Sequence, residues 1–372
     1  MYKPGFNCMF KLTNFLLLIF STVIFISCTS DIKERQHKAE IVILMPMSGD
    51  YGDKSAKLAE LIKWGIEDKG AAANISIKDI STYQQIEQAS EELRFKRADI
   101  ILGPLFSENV KIFSKIAKEN NIIMLTLSNN PILAEENNIF IFGHGPLKQI
   151  DFLLDYLIEK DHKDYLLIMP SNRYSINMKK AYEEMINYKG GKLLSSHQYD
   201  IEQENSLEKA VENIEVTIDE SIENVDSNSK PVLLLAAKDP ASLKKLYKIL
   251  REKNLDTKSL IAGDARIDIG YKGDINLIFT GSRMIPSAVL SERARIELGI
   301  SHFNYLENLA YDLGSFTGEL IGHNFTKDDF INRVYNNNFL GLSGNIKFED
   351  AVAKRDYEII KREGEFFTIL KD

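Results

Sequence analysis

Polar residues with ligand-binding chemistry recur at one kind of place in this chain, directly after short apolar runs. Ser48 and Tyr51 follow Ile41 to Leu44, Phe106 and Ser107 follow Asp99 to Leu102, and Ser128 and Asn129 follow Ile122 to Leu127. Tyr174 and Asp264 stand in the same relation to Tyr165 to Met169 and Leu260 to Ala262. Serine hydroxyls and the free N–H groups of a helix start suit a carboxylate, whereas an acid such as Asp264 suits an ammonium. Together they would hold an amino acid. The same residues also fit local duties: Ser107 is placed to cap the helix that follows it, and Ser128 opens a Ser-Asn-Asn-Pro turn. Tyr51 and Tyr174 equally suit half-buried rim aromatics, and His144 a loop hydrogen bond.

Catalysis finds less support. The six histidines, His37, His144, His162, His197, His302 and His323, show no metal-ligand spacing. Gly341 to Gly344 approaches a nucleophile elbow but lacks its last glycine and the strand before it. Both cysteines, Cys8 and Cys28, lie near the N-terminus, so the body has no thiol for a disulfide, a zinc site or nucleophilic attack. No cofactor and no metal are expected, and the chain reads as a binder rather than an enzyme.

The elements that must position these residues alternate. From Ala39, apolar runs of strand length exchange with amphipathic helical stretches, the pattern of a parallel sheet covered by helices on both faces. The run Ile41 to Leu44 has no polar interruption, as a strand buried on both sides requires. Leu58, Leu61, Ile62 and Ile66 make one helix stripe, and Asn304 to Ile321 reads as a long helix with Leu306, Leu309, Leu313, Phe316 and Leu320 on one face. Ten acids against two lysines between Asp200 and Lys230 read as a solvated helix and loop insertion. At 372 residues two compact units are expected. The fold class is α/β, two Rossmann-like lobes with parallel sheets, divided as 39–145 for the first lobe, 146–284 for the second and 285–372 returning to the first lobe and hinge. In such sheets the crevice lies beyond the carboxyl ends of the strands. With two lobes that crevice is the interlobe cleft, where the candidates above belong.

The N-terminus carries an export signal. Lys3 and Lys11 precede Phe15 to Ile26, an uncharged stretch too short to cross a bilayer of about 30 Å comfortably but suited to a signal peptide. It ends in Phe25, Ile26, Ser27 and Cys28. Those four residues resemble a lipobox, which implies a signal peptide over 1–27, diacylation (palmitate) of Cys28 and a tether over 28–38; an uncleaved anchor is the other reading. With Thr29 rather than aspartate after the cysteine, the same logic points to the periplasmic face of the outer membrane. The formal charge of −8 becomes −10 without Lys3 and Lys11, a field that repels phosphate backbones, so nucleic acid is not an expected partner.

Phe339 to Asp350, followed by Arg362 to Phe366, resembles the close of the type I periplasmic binding proteins, the leucine/isoleucine/valine-binding group, with its Gly-x-x-Gly-x-Ile-x-Phe-Asp segment and Gly-x-Phe hairpin. Ile41 to Gly49 resembles that group's first strand and ligand-side loop, and Ala310 to Asp312 the Tyr-Asp pair of its late helix. Asp99 to Val110, Ile123 to Asn129 and Asn138 to Gly143 are similar to the same segments of the penicillin-binding protein activator lipoproteins, although those carry a helical repeat domain that has no counterpart between Cys28 and Ala39. The resemblance implies a non-catalytic outer-membrane lipoprotein that docks a penicillin-binding protein and stimulates peptidoglycan synthesis. The alternative is the receptor of an ABC importer, handing an amino acid or related solute to an ABC permease.

Overall fold

The computed structural model describes residues 38–371 apart from 144, 172, 201, 225–228, 237–239, 270–274, 283 and 365. Cys28 and the expected signal and tether therefore lie outside the described residues, as does His144.

The first lobe begins with β1 (Ala39–Met45), α1 (Gly52–Asp68), β2 (Ala73–Asp79), α2 (Tyr83–Phe95), β3 (Ile100–Leu102), α3 (Ser107–Glu119), β4 (Ile123–Thr126) and β5 (Ile139–Ile141). The chain then crosses to a second lobe made of α4 (Pro146–Glu159), β6 (Asp164–Pro170), α5 (Arg173–Tyr188), β7 (Lys192–Tyr199), α6 (Ser206–Asn224), β8 (Val232–Leu235), α7 (Pro240–Glu252), α8 (Leu255–Lys258), β9 (Leu260–Gly263) and β10 (Asn276–Gly281). It returns through α9 (Ala288–Leu298), α10 (Tyr305–Ile321), α11 (Lys327–Asn336), β11 (Phe339–Gly341), β12 (Gly344–Glu349) and β13 (Val352–Arg355). A third crossing ends in the hairpin β14 (Glu358–Glu363) and β15 (Phe366–Lys371).

Two sheets result, in the orders β11-β12-β13-β5-β4-β3-β1-β2 and β15-β14-β10-β9-β8-β6-β7. The strands from β1 to β5 and from β6 to β10 pair parallel, and the late strands add antiparallel edges. The expected return of 285–372 to the first lobe is thus divided. Its helices and β11 to β13 join the first sheet, but β14 pairs antiparallel with β10 and belongs to the second. The acidic stretch also differs from the solvated insertion expected: α6 buries Leu207, Val211, Ile214 and Ile218 against the second sheet.

The inner strands of each sheet are buried on both faces, which is why β3, β5 and β8 are uninterrupted apolar runs. Ile41, Ile43 and Met45 of β1 face α1, α9, α10 and α11, while Leu44 faces α2 and α3. Leu166 and Ile168 of β6 meet α6 and α7, and Leu167 and Met169 meet α4 and α5. The helix stripe read in α1 is buried, along with Trp64, whose ring lies 3.9 Å from the Arg293 guanidinium. Asn304 caps α10 through bonds from Leu306 N and Glu307 N, and the Glu307 carboxylate in turn accepts from Asn304 N at 2.7 Å.

Candidate functional site

On the first lobe the loops after β1, β3 and β4 stand side by side, because these strands are neighbours in the sheet. The Tyr51 and Phe106 rings meet edge to face at 5.2 Å, and both remain partly exposed. Ser107 and Ser128 share a hydroxyl–hydroxyl hydrogen bond of 2.7 Å. The Ser128 hydroxyl is buried and also accepts from Asn130 N at 3.3 Å. Ser107 does not cap its helix, contrary to expectation: Phe106 occupies the N-cap with no side-chain bond, and the hydroxyl turns across to Ser128 instead. The loop after β3 passes so near β1 that a Cβ on Gly103 would lie 2.5 Å from the Leu44 carbonyl oxygen, at a φ of +90°. Ser48 N donates to the Ser81 hydroxyl at 2.8 Å, and Asn129 is exposed.

On the second lobe, Tyr174 lies in the first turn of α5, just beyond β6. Asp264 follows β9 and is fully buried. Its carboxylate accepts from Arg266 Nε at 2.8 Å and Nη2 at 2.6 Å, and caps the next turn through Arg266 N. The aspartate foreseen as an ammonium partner is held by the chain's own guanidinium.

Between the lobes lies a small cavity open to solvent. Gln149, Ala265, Asp268, Phe279, Gly281 and Ser282 line it from the second lobe, Phe303, Tyr305, Asn308, Leu342 and Ser343 from the first, and Tyr357 from the last crossover. Tyr305 and Asn308 are placed by the capped start of α10. Ser343 is placed by the β11–β12 turn, which the buried Asp312 carboxylate holds through Leu342 N and Ser343 N, both at 2.7 Å. That turn is the Gly341 to Gly344 segment, so its serine serves a clamp. Burial pushes the Asp312 carboxyl up, and the bonds from Ser343 and Leu342 only partly oppose it. Gln149 Oε1 accepts from Ala265 N at 2.8 Å and the Thr280 hydroxyl at 3.1 Å. Asp268 accepts from Arg362 and has His302 Nε2 at 3.8 Å. Burial raises the hydroxyl of Tyr305, and that of Tyr357 to about 12, so both are neutral donors at pH 7.

Ser48, Tyr51, Phe106, Ser107, Ser128, Asn129 and Asp264 do not line this cavity, although Ala265 adjoins Asp264. The residues that do line it come from the end of β10, from Gln149 in α4, and from turns, helix starts and the last crossover. The one signal for them was the Asn304 and Glu307 capping box, which fixes where Tyr305 and Asn308 start.

No family model matches the chain. An uncharacterized protein of Rickettsia prowazekii (strain Madrid E) is 37% identical over 343 residues, 91% of each chain. The chain belongs to the same family as that protein. Among solved structures, an ABC transporter substrate-binding protein from Sphaerobacter thermophilus superposes with a TM-score of 0.72 at 13% identity, over 90% of this chain and 97% of the other. A branched chain amino acid ABC transporter periplasmic ligand-binding protein from Burkholderia xenovorans LB400 gives 0.68 at 14%, over 90% and 94%. A leucine binding protein, LivK, from Thermotoga maritima gives 0.60 at 17%, over 89% and 97%. The fold of this family is that of the type I periplasmic binding proteins, as the tail and first-strand segments imply. The further likeness to activator lipoproteins finds no support among these neighbours.

Proposed function

We propose that this chain is a solute-binding protein of an ABC importer, which closes its two lobes on a small molecule and presents it to a permease. The observation that carries this reading is the cavity between the lobes, lined from both sides and bounded by the last crossover, where a ligand would tie one lobe to the other. Binding rather than catalysis is the chemistry on offer, since the lining supplies neutral donors and acceptors and an acid already paired. A lipid on Cys28 would hold the body at the periplasmic face of a membrane, the outer one by the Thr29 logic or the inner one, where a permease would sit. Palmitate labelling of the protein and of Cys28→Ser tests that anchor; equal labelling of the two removes it.

The receptor reading predicts stabilisation by ligand. At a hundredfold excess over Kd a bound solute adds about 2.7 kcal/mol, several degrees in Tm for a chain of this size. A thermal-shift panel of amino acids, short peptides and organic acids should contain at least one such solute. A flat panel, together with recovery of a penicillin-binding protein on the tagged chain, would favour the activator reading instead.

A further inference from the structure

The two acids near the interlobe cavity on the second lobe are engaged, Asp264 by Arg266 and Asp268 by Arg362. Across from them, Arg355 at the end of β13 is only 7% exposed. Its Nε donates to the Ser343 hydroxyl at 3.2 Å and its guanidinium lies 4.9 Å from the Phe142 ring centre. Nη1 and Nη2 are buried and, among the described residues, have no hydrogen-bond partner. Asp312 attracts this charge without bonding to it, because its own oxygens are taken by Leu342 and Ser343. A guanidinium buried with two empty donor positions is costly, since desolvation is offset only when its N–H groups are paired.

Ser343, Tyr305 and Tyr357 stand between Arg355 and the cavity: the first bonds it, the tyrosines feel its charge, and all three line the space. We propose that Arg355 is the anion receptor of this cavity, and that the solute is an organic carboxylate with an apolar body and no requirement for an ammonium group. The proposal rests on the cavity being the solute site. Phe279, Phe303 and Leu342 provide for the apolar body, and the paired state of Asp264 and Asp268 leaves an ammonium without a free acid. Nη1 and Nη2 are closed off in this form. Arg355 immediately precedes the 356–357 crossover, so the carboxylate reaches the two nitrogens as the lobes part and is sealed against them as the lobes close, where a bidentate bond is strong.

The test uses the full chain and two sets of three compounds sharing a skeleton. One is 4-methylpentanoate, its amide and leucine; the other is 3-phenylpropanoate, its amide and phenylalanine. The acids should bind the wild type at least tenfold more tightly than the amides, and the amino acids no more tightly than the acids. Arg355→Met should lose that preference and, having shed a buried guanidinium with two empty donor positions, should melt no lower than the wild type without ligand. Amides that bind as well as acids, or a preference that survives in Arg355→Met, would overturn the assignment while leaving the receptor reading intact. A ligand-free variant that melts far lower, or fails to fold, would show the guanidinium to be structurally paired and overturn it as well. If no compound of either charge binds the wild type, this assignment and the receptor reading fall together.

Discussion

The carboxylate of Asp79, at the end of β2, accepts from Met47 N and Gln85 Nε2, both at 2.8 Å, from Ser81 N at 3.0 Å and from the Ser81 hydroxyl. That hydroxyl in turn receives Ser48 N, so a single acid fixes the loop that carries Ser48 and leads to Tyr51. Burial raises the Asp79 carboxyl, but the bonds from Ser81, Met47 and Gln85 outweigh it and hold it below the ordinary value. A depressed carboxyl contributes stability above the unfolded value, about 4, and loses it as pH falls through the folded one. Asp79→Ala should therefore cost about 2 kcal/mol in urea unfolding at neutral pH. The gap between variant and wild type should narrow below pH 4; a gap that is constant across that range would mean that Asp79 acts through packing alone.

At the scale of elements, α1 and α10 lie parallel and so close that each needs glycines facing the other. A Cβ on Gly314 would stand 1.9 Å from the Ile62 carbonyl oxygen, and one on Gly65 would stand 2.4 Å from that of Tyr311. Glycine inside a helix costs roughly 0.5–1 kcal/mol relative to alanine, a cost the close approach explains. Gly314→Ala should force the helices apart, lowering stability by about 3 kcal/mol, and should weaken solute binding too, because α10 carries Tyr305 and Asn308 on its first turn. If thermal melts show the loss but binding is unchanged, the start of α10 does not shape the site. These elements were legible from sequence wherever one local rule decided them. β1 is apolar because both of its faces are covered, and α10 announces its start with Asn304 and Glu307. α9 was not legible, since Val289 and Ile296 face solvent and leave no clean stripe. The site was less legible than the fold. Asp264 follows β9, but its occupation by Arg266 follows from side-chain reach, and the contacts between Arg362 and Asp268 and between Gln149 and Ala265 join residues 94 and 116 positions apart.

At the scale of the whole molecule, three crossovers join the lobes, after β5, after β10 and after β13, and only two residues, 356 and 357, make up the last. Such short connections permit rotation about a common line but little sliding, so solute capture should appear as closure. The described residues contain no cysteine, which allows a clean pair of labels. Glu87 in α2 and Lys209 in α6 are exposed and lie early in helices that start at the carboxyl edges of the two sheets. With Cys8 and Cys28 replaced by serine, Glu87→Cys and Lys209→Cys should carry a donor and acceptor whose transfer efficiency rises when a stabilising solute is added. It should saturate at the concentration where Tm stops rising, because closure and stabilisation are one equilibrium. An efficiency that stays fixed while Tm climbs would mean that solute binds without moving the lobes. A permease could not then tell the loaded protein from the empty one by its shape, and a rigid docking module would describe the molecule better than an importer's receptor.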